Sequence, residues 1–216
     1  MSRAARHPAV STLDLETPQG LARAHLHPVA GPVGALMIGH GAGGGVGAKD
    51  IVRATAAARA EGWAVALVEQ PYRVAGRRSP VPAPRLDEAW ISVAEQLRAG
   101  PFAGLPLVAG GRSSGARVAC RTAAATGAAG VLCLAFPLHP PRRRTSSGPA
   151  PSRLPELEAA GVPTLVVQGE RDPFGMPPEG PARRVVVVKG DHALAGDLPA
   201  VGAAAGEWLR ELTGRA

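Results

Sequence analysis

Short, continuously apolar runs alternate with longer amphipathic segments along this chain. "VGALMIGH" (residues 33–40), "WAVALVEQ" (63–70), "LPLVAGG" (105–111), "AGVLCLAF" (129–136), "VPTLVVQG" (162–169) and "RVVVVKG" (184–190) are too short for helices and carry almost no polar position. They read as strands buried on both faces. Between them, "KDIVRATAAARAEG" (49–62) predicts a helix closed by Gly62. "LDEAWISVAEQLRAG" (86–100) places Leu86, Trp90, Val93 and Leu97 on one helical face. "SGARVACRTAAATG" (114–127) and "LPAVGAAAGEWLRELTG" (198–214) predict two further helices. Near the start, "VSTLDLET" (10–17) and "LARAHLHP" (21–28) alternate like half-exposed strands and predict a hairpin at a sheet edge.

Strand and helix in alternation, with apolar strands, predict an α/β fold: a mostly parallel central sheet covered by helices on both faces. No internal repeat and no second domain is visible. The expectation is one domain over residues 1–216, with about residues 1–9 as a disordered tail. Such sheets bind ligands at the carboxyl ends of their strands. Two Pro- and Arg-rich loops, residues 71–85 and 137–152, follow strands and therefore belong at that end.

Composition changes this picture little. The 216 residues are 45% hydrophobic but only 3% aromatic, and the net charge is +7. Lys49 and Lys189 are the only lysines, so the positive charge is nearly all arginine. The basic residues are scattered, and aromatic rings for base stacking are scarce, which argues against a specific nucleic-acid partner. "MSRAARHPAVST" has no apolar core of signal-peptide length, and no run reaches the ~20 residues of a membrane helix. Cys120 and Cys133 match no zinc or CxxC spacing and read as buried, reduced thiols of a cytoplasmic protein. His25 and His27 alternate on a strand with no Asp, Glu or Cys following them, so neither a metal nor any other cofactor is implied.

Candidate chemistry lies in Gly111-Arg112-Ser113-Ser114-Gly115, which fits G-x-S-x-G between a strand and a helix. Ser113 has glycine two before and two after it. Ser114 would have Arg112 and Ala116 there, so Ser113 is the candidate nucleophile, and Ser114 supplies a backbone N–H at a helix start. On these residues alone a glycine-rich phosphate loop or a plain turn fits equally well. The later strand ends bear on that choice. Asp172 follows "TLVVQG" and His192 follows "VVVVKG", giving the chain order Ser, acid, His of the α/β-hydrolases. Glu170 is an alternative acid. His139, in "FPLHPP", is the rival base and is otherwise expected at the pocket rim.

The chain resembles the small α/β-hydrolases related to dienelactone hydrolase. The resemblance rests on "GHGAGG", "QPYRVAGRRSPVPAPRLDEAW", "GGRSSGARVA", "FPLHPPRRR", "VQGERDPFG" and "GDHAL". The second and fourth of these look closest to the subgroup that includes a testis-expressed protein and a subunit of the nonspecific lethal acetyltransferase complex. The resemblance implies a fold without a cap domain, with Ser113 as nucleophile, Asp172 as acid and His192 as base. It implies oxyanion donors from the backbone of Ser114 and of Ala42, with Gly43 the alternate to Ala42. His40, Tyr72, Arg78 and His139 are expected at the pocket rim. Two features depart from the family pattern. Ser114 stands where a small hydrophobic residue is usual, and only "PFGMPPEGPAR" separates Asp172 from the last strand, so the usual crossover helix is lost or replaced by a loop.

The expected activity is hydrolysis of a small ester, thioester or related acyl substrate through an acyl-enzyme. The alternative is an interaction protein that keeps the hydrolase scaffold without catalysis. Arg77, Arg78 and the run Arg142, Arg143 and Arg144 suggest an anionic substrate steered to the pocket mouth. A solvated basic loop explains them equally well.

Overall fold

The computed structural model describes residues 9–141 and 151–214. Arg142, Arg143 and Arg144 lie outside these residues, as does most of the expected N-terminal tail. The strands are β1 (Ser11–Thr17), β2 (Gly20–His27), β3 (Gly34–Gly39), β4 (Trp63–Glu69), β5 (Leu107–Arg112), β6 (Gly130–Leu134), β7 (Thr164–Gly169) and β8 (Arg183–Val188). They form one sheet in the order β1-β2-β4-β3-β5-β6-β7-β8. β1 and β2 make the expected edge hairpin, and β2 runs antiparallel to β4. From β4 to β8 every pairing is parallel.

The apolar strands owe their composition to burial on two sides. Along β3, Leu36 and Ile38 pack with Ile51 and Ala54 of α1 (Lys49–Ala60) and with Trp208 and Leu209 of α6 (Leu198–Leu212). The intervening Ala35 and Met37 pack with Trp90 and Val93 of α3 (Ala83–Ala99) on the other face. Farther along that face, Ala109, Val131 and Cys133 meet Ala116, Ala119 and Cys120 of α4 (Ser114–Thr126). Each fully buried Leu or Ile contributes about 1.5–3 kcal/mol, so the two-sided core is the main stabilising term. The chain returns to opposite sides of β3 through β4 and β5, which opens a crevice at the carboxyl ends of these strands. Among the described residues, no cap domain covers it.

Two local features differ from the pattern-based expectation. α3 begins at Ala83 rather than Leu86, because Pro84 is accommodated in the first helical turn. Two short helices, α2 (Pro71–Val74) and α5 (Leu154–Glu158), stand where loops or unassigned residues were expected, and each also starts with a proline in its first turn. As the short link predicts, the connection from β7 to β8 contains no helix; it is a proline-rich loop closed by an antiparallel bridge between Gly180 and Arg183.

A partly buried ion network ties the helices of one face. Arg117 holds Glu156 through two hydrogen bonds of 2.8 and 2.6 Å. Arg121 grips Asp87 at 2.8 and 2.6 Å and also reaches Glu156 at 2.8 Å. Burial opposes ionisation of Glu156, but Arg117 and Arg121 outweigh it and hold the carboxyl below its usual 4.5. A carboxyl with a depressed folded-state pKa stabilises above its unfolded value and loses that contribution as pH falls through the folded one. Glu156→Gln should therefore cost about 1–3 kcal/mol at neutral pH. In urea titrations across pH, the gap to the parent protein should narrow below the usual value of 4.5. A gap independent of pH would contradict this account of the network.

Candidate active site

At the end of β5 the backbone turns sharply. Ser113 has φ 53° and ψ −109°, a left-handed conformation that non-glycine residues rarely adopt. Its N–H donates to the Leu134 carbonyl at 2.9 Å, and its own carbonyl accepts from Arg117 at 3.2 Å in the first turn of α4. The strand and helix meet closely here. A Cβ on Gly111 would lie 2.3 Å from the Gly115 carbonyl carbon, and one on Gly115 would lie 2.6 Å from the Gly39 oxygen. Hence the small residues on either side of Ser113.

His192 Nε2 lies 2.9 Å from Ser113 Oγ, and its Nδ1 lies 2.8 Å from Asp172 Oδ2. A carboxylate can only accept here, so Nδ1 carries the proton and Nε2 presents its lone pair to the serine hydroxyl. The Asp172 side chain is fully buried, and the Phe174 N–H donates to its Oδ1 at 2.9 Å. Gln168 Nε2 donates to Asp172 Oδ2 at 2.9 Å and also faces the Phe136 and Gly175 carbonyls at 3.1 and 2.9 Å. All three partners are acceptors, which fixes the amide orientation. The Phe174 ring meets His192 edge-on, with centroids 4.4 Å apart. Behind the histidine, Arg112 donates from Nη2 to the His192 carbonyl and from Nε to buried Asp50, each at 2.9 Å.

The turn after β3 faces this group. His40 Nδ1 donates to the Gly41 carbonyl at 2.8 Å, while its Nε2 accepts from the Gln70 N–H at 3.1 Å. The second contact requires neutral imidazole, and burial pushes its pKa down against the Gly41 bond. Tyr72 Oη donates to the Ala42 carbonyl at 2.8 Å, and burial pushes the phenol up to about 12. In a trans peptide the N–H points opposite to the preceding carbonyl. Anchoring the Gly41 carbonyl therefore turns the Ala42 N–H away from His40, and anchoring the Ala42 carbonyl turns the Gly43 N–H away from Tyr72. Among the described residues, the N–H groups of Ala42 and Gly43 have no acceptor. Ser114, in the first turn of α4, has no intrahelical acceptor either.

The remaining candidates fall around this centre. His40 and Tyr72 are buried and line one small cavity with Ser114. Arg78 is exposed. His139 is half-buried beside the acid loop, where its backbone N–H donates to the Phe174 carbonyl at 2.8 Å; the imidazole on Ser113 is that of His192. Glu170 points to Arg171 at 3.4 Å, and Asp172 is the carboxylate that meets the histidine. His25 has a partner that its own strand did not reveal, Glu69 of β4 at 2.6 Å. Gln168, Arg112 and Asp50 were not singled out from the sequence. Gln168 carried one signal: it is the only polar side chain beyond Thr164 in an otherwise apolar strand.

Residues 32–195 match the family model of an alpha/beta hydrolase domain, and the chain belongs to that family. Among solved structures it is similar to XC6422 from Xanthomonas campestris, described as a serine hydrolase without lid. The identity is 21%, the coverage 94% of each chain and the TM-score 0.72. It is also similar to dienelactone hydrolase from Anabaena variabilis, at 17% identity, 95% and 99% coverage and a TM-score of 0.73. Est1E from Butyrivibrio proteoclasticus matches at 15% identity, 94% and 99% coverage and a TM-score of 0.75. A search of curated proteins found no match.

The close crossing of β5, α4 and β3 makes Gly115→Ala a sharp test of the elbow. The added methyl, 2.6 Å from the Gly39 oxygen, should cost about 1–3 kcal/mol or more in urea denaturation. Gly45→Ala, where nothing lies within 4 Å, should cost less than about 0.5 kcal/mol. Equal costs would show that the crossing is not as tight as described.

Proposed function

We propose that the chain is a serine hydrolase of small acyl substrates, working through Ser113, His192 and Asp172. One observation carries this reading: a single imidazole bridges a strained serine and a fully buried carboxylate, at 2.9 and 2.8 Å. Ser113 Oγ adds to the substrate carbonyl while His192 Nε2 takes its proton. Asp172 holds the ring in the required tautomer and favours the imidazolium that forms. The N–H groups of Ser114 and Ala42 receive the oxyanion, with Gly43 the alternate to Ala42. In comparable sites each such donor is worth roughly 3–4 kcal/mol. Collapse of the tetrahedral intermediate expels the leaving group, which takes the proton from His192. Water, deprotonated by the same imidazole, then releases the acid and restores Ser113.

A fluorophosphonate probe tests the assignment between adjacent serines. Ser113→Ala should abolish covalent labelling, and Ser114→Ala should retain at least part of it. Labelling that survives the first change and disappears with the second would reverse the roles.

We further propose that the preferred substrate carries a remote carboxylate. Arg77 and Arg85 line a cavity of about 190 Å³ with Gln70, Tyr72, Leu21 and Val81. Tyr72 also holds the Ala42 turn, which links this cavity to the proposed oxyanion site. An arginine fork suits a carboxylate. Among matched esters with and without a remote carboxylate, the charged one should show the higher kcat/KM at low salt, and Arg77→Gln with Arg85→Gln should remove the advantage. No advantage at low salt would leave these arginines as solvated surface.

Within its family, the chain is proposed to lie in the subgroup of the testis-expressed protein and the acetyltransferase-complex subunit, on the strength of "QPYRVAGRRSPVPAPRLDEAW" and "FPLHPPRRR". A cytoplasmic location is proposed from the free, buried Cys120 and Cys133, which suit a reducing compartment. Among the described residues, no helix is long and apolar enough to cross a membrane.

A further inference from the structure

We propose that Arg112, the variable residue of G-x-S-x-G, is a positioning residue that with Asp50 holds the His192 loop in register with the nucleophile. The proposal rests on the hydrolase reading above and concerns how its base is placed.

Arg112 is the last residue of β5 and immediately precedes Ser113. Its backbone is therefore set by the same pairing with Leu134 of β6 that sets the elbow. Its side chain crosses to two elements remote in sequence. Nε meets Asp50 Oδ2, 62 residues away, and Nη2 meets the His192 carbonyl, 80 residues away, each at 2.9 Å. The Asp50 carboxylate is 1% exposed, and its other oxygen accepts from the Ile51 N–H at 2.9 Å. The guanidinium is thus gripped by a buried, oriented anion at the start of α1. That grip leaves one fork arm aimed at the main chain of the base.

Buried Leu194 anchors the end of the loop carrying His192 in the core. The loop's other main-chain ties are the Gly190 carbonyl accepting from Arg171 and the Asp191 carbonyl accepting from Leu194. Neither reaches the elbow. Asp191 spends its side chain within the loop, accepting from Ala193 at 2.9 Å. The Asp172 bond orients the imidazole from the β7 side. Arg112 is the described contact that fixes the His192 backbone to the residue beside the serine. A charge-assisted bond from a planar, paired guanidinium is short and directional, which a flexible ammonium would not reproduce at both partners.

Displacement of a reacting group by about 1 Å can cost on the order of 100-fold in rate. Arg112→Met should accordingly lower kcat for p-nitrophenyl acetate by about 10- to 100-fold, with KM changed less than about twofold. Arg112→Lys, which keeps the charge but cannot span both partners, should fall between the two. Asp50→Asn should lower kcat in the same direction. In proton NMR, the downfield resonance of the His192 Nδ1 proton should broaden or shift in the Arg112 variants. Glu156→Gln, destabilised in the ion network of α3, α4 and α5 and not at the His192 loop, controls for general loss of stability and should keep both kcat and the resonance. Parent-like kcat in Arg112→Met overturns the proposal. So does a kcat loss no greater than that of Glu156→Gln with an unchanged resonance. Absence of fluorophosphonate labelling in the parent protein would instead sink the hydrolase reading, and the NMR comparison would still report whether Arg112 positions His192.

Discussion

The left-handed backbone at Ser113 is the constraint around which the site is built. Such a conformation costs about 1–3 kcal/mol for a non-glycine residue and persists only where the surroundings enforce it. Here they do so through contact. β5 enters and α4 leaves at a crossing so tight that neither Gly111 nor Gly115 has room for a methyl group. The Ser113 N–H is held by Leu134 of the neighbouring strand. The conformation puts Oγ within reach of His192 and leaves the Ser114 N–H at the open end of a helix. The strain at one residue is thus sustained by the packing of the central sheet.

Parallel strands deliver the other parts. The turn after β3, the acid after β7 and the histidine after β8 all emerge at the carboxyl end of the sheet, where the crevice is. Sheet pairing brings Gly169 of β7 opposite Val188 of β8, so the loops carrying Asp172 and His192 start as neighbours. They cross closely, and a Cβ on Gly169 would lie 2.3 Å from the Asp191 oxygen. Each loop is then fastened by polar side chains to main-chain groups: buried His40 and Tyr72 for the turn, buried Gln168 for the acid loop, half-buried Arg112 for the histidine loop. Buried Leu194 packs the end of the histidine loop into the core, and the directional bonds set where the polar groups of these loops sit.

Much of this was legible in the chain. Apolar strands terminated by glycine announced a parallel sheet, and G-x-S-x-G, Asp172 and His192 fell at strand ends in a recognisable order. The short proline-rich link after Asp172 was also readable as a loop in place of a helix. Of the fastening residues, His40 and Tyr72 were expected at the rim, whereas Arg112 and its partner Asp50 were not legible. Arg112 occupies a position where the motif accepts any residue, and its partners lie 62 and 80 residues away. Asp50 looks like an ordinary acid in a first helical turn. The small helices α2 and α5 were hidden because their prolines read as loop signals, although proline is at home in a first turn. Periodicity and motif spacing report local structure; a side chain bridging three elements leaves no such trace.

The central claim is that Ser113 becomes acylated with His192 as its base. Rapid mixing with p-nitrophenyl acetate, followed by acid quench and peptide mapping, tests it most directly. The account predicts a burst of p-nitrophenolate approaching one equivalent per chain and an acetyl group on Ser113, both lost in His192→Ala. Hydrolysis with no acyl intermediate, or an acetyl group carried by Ser114 or His139, would contradict it.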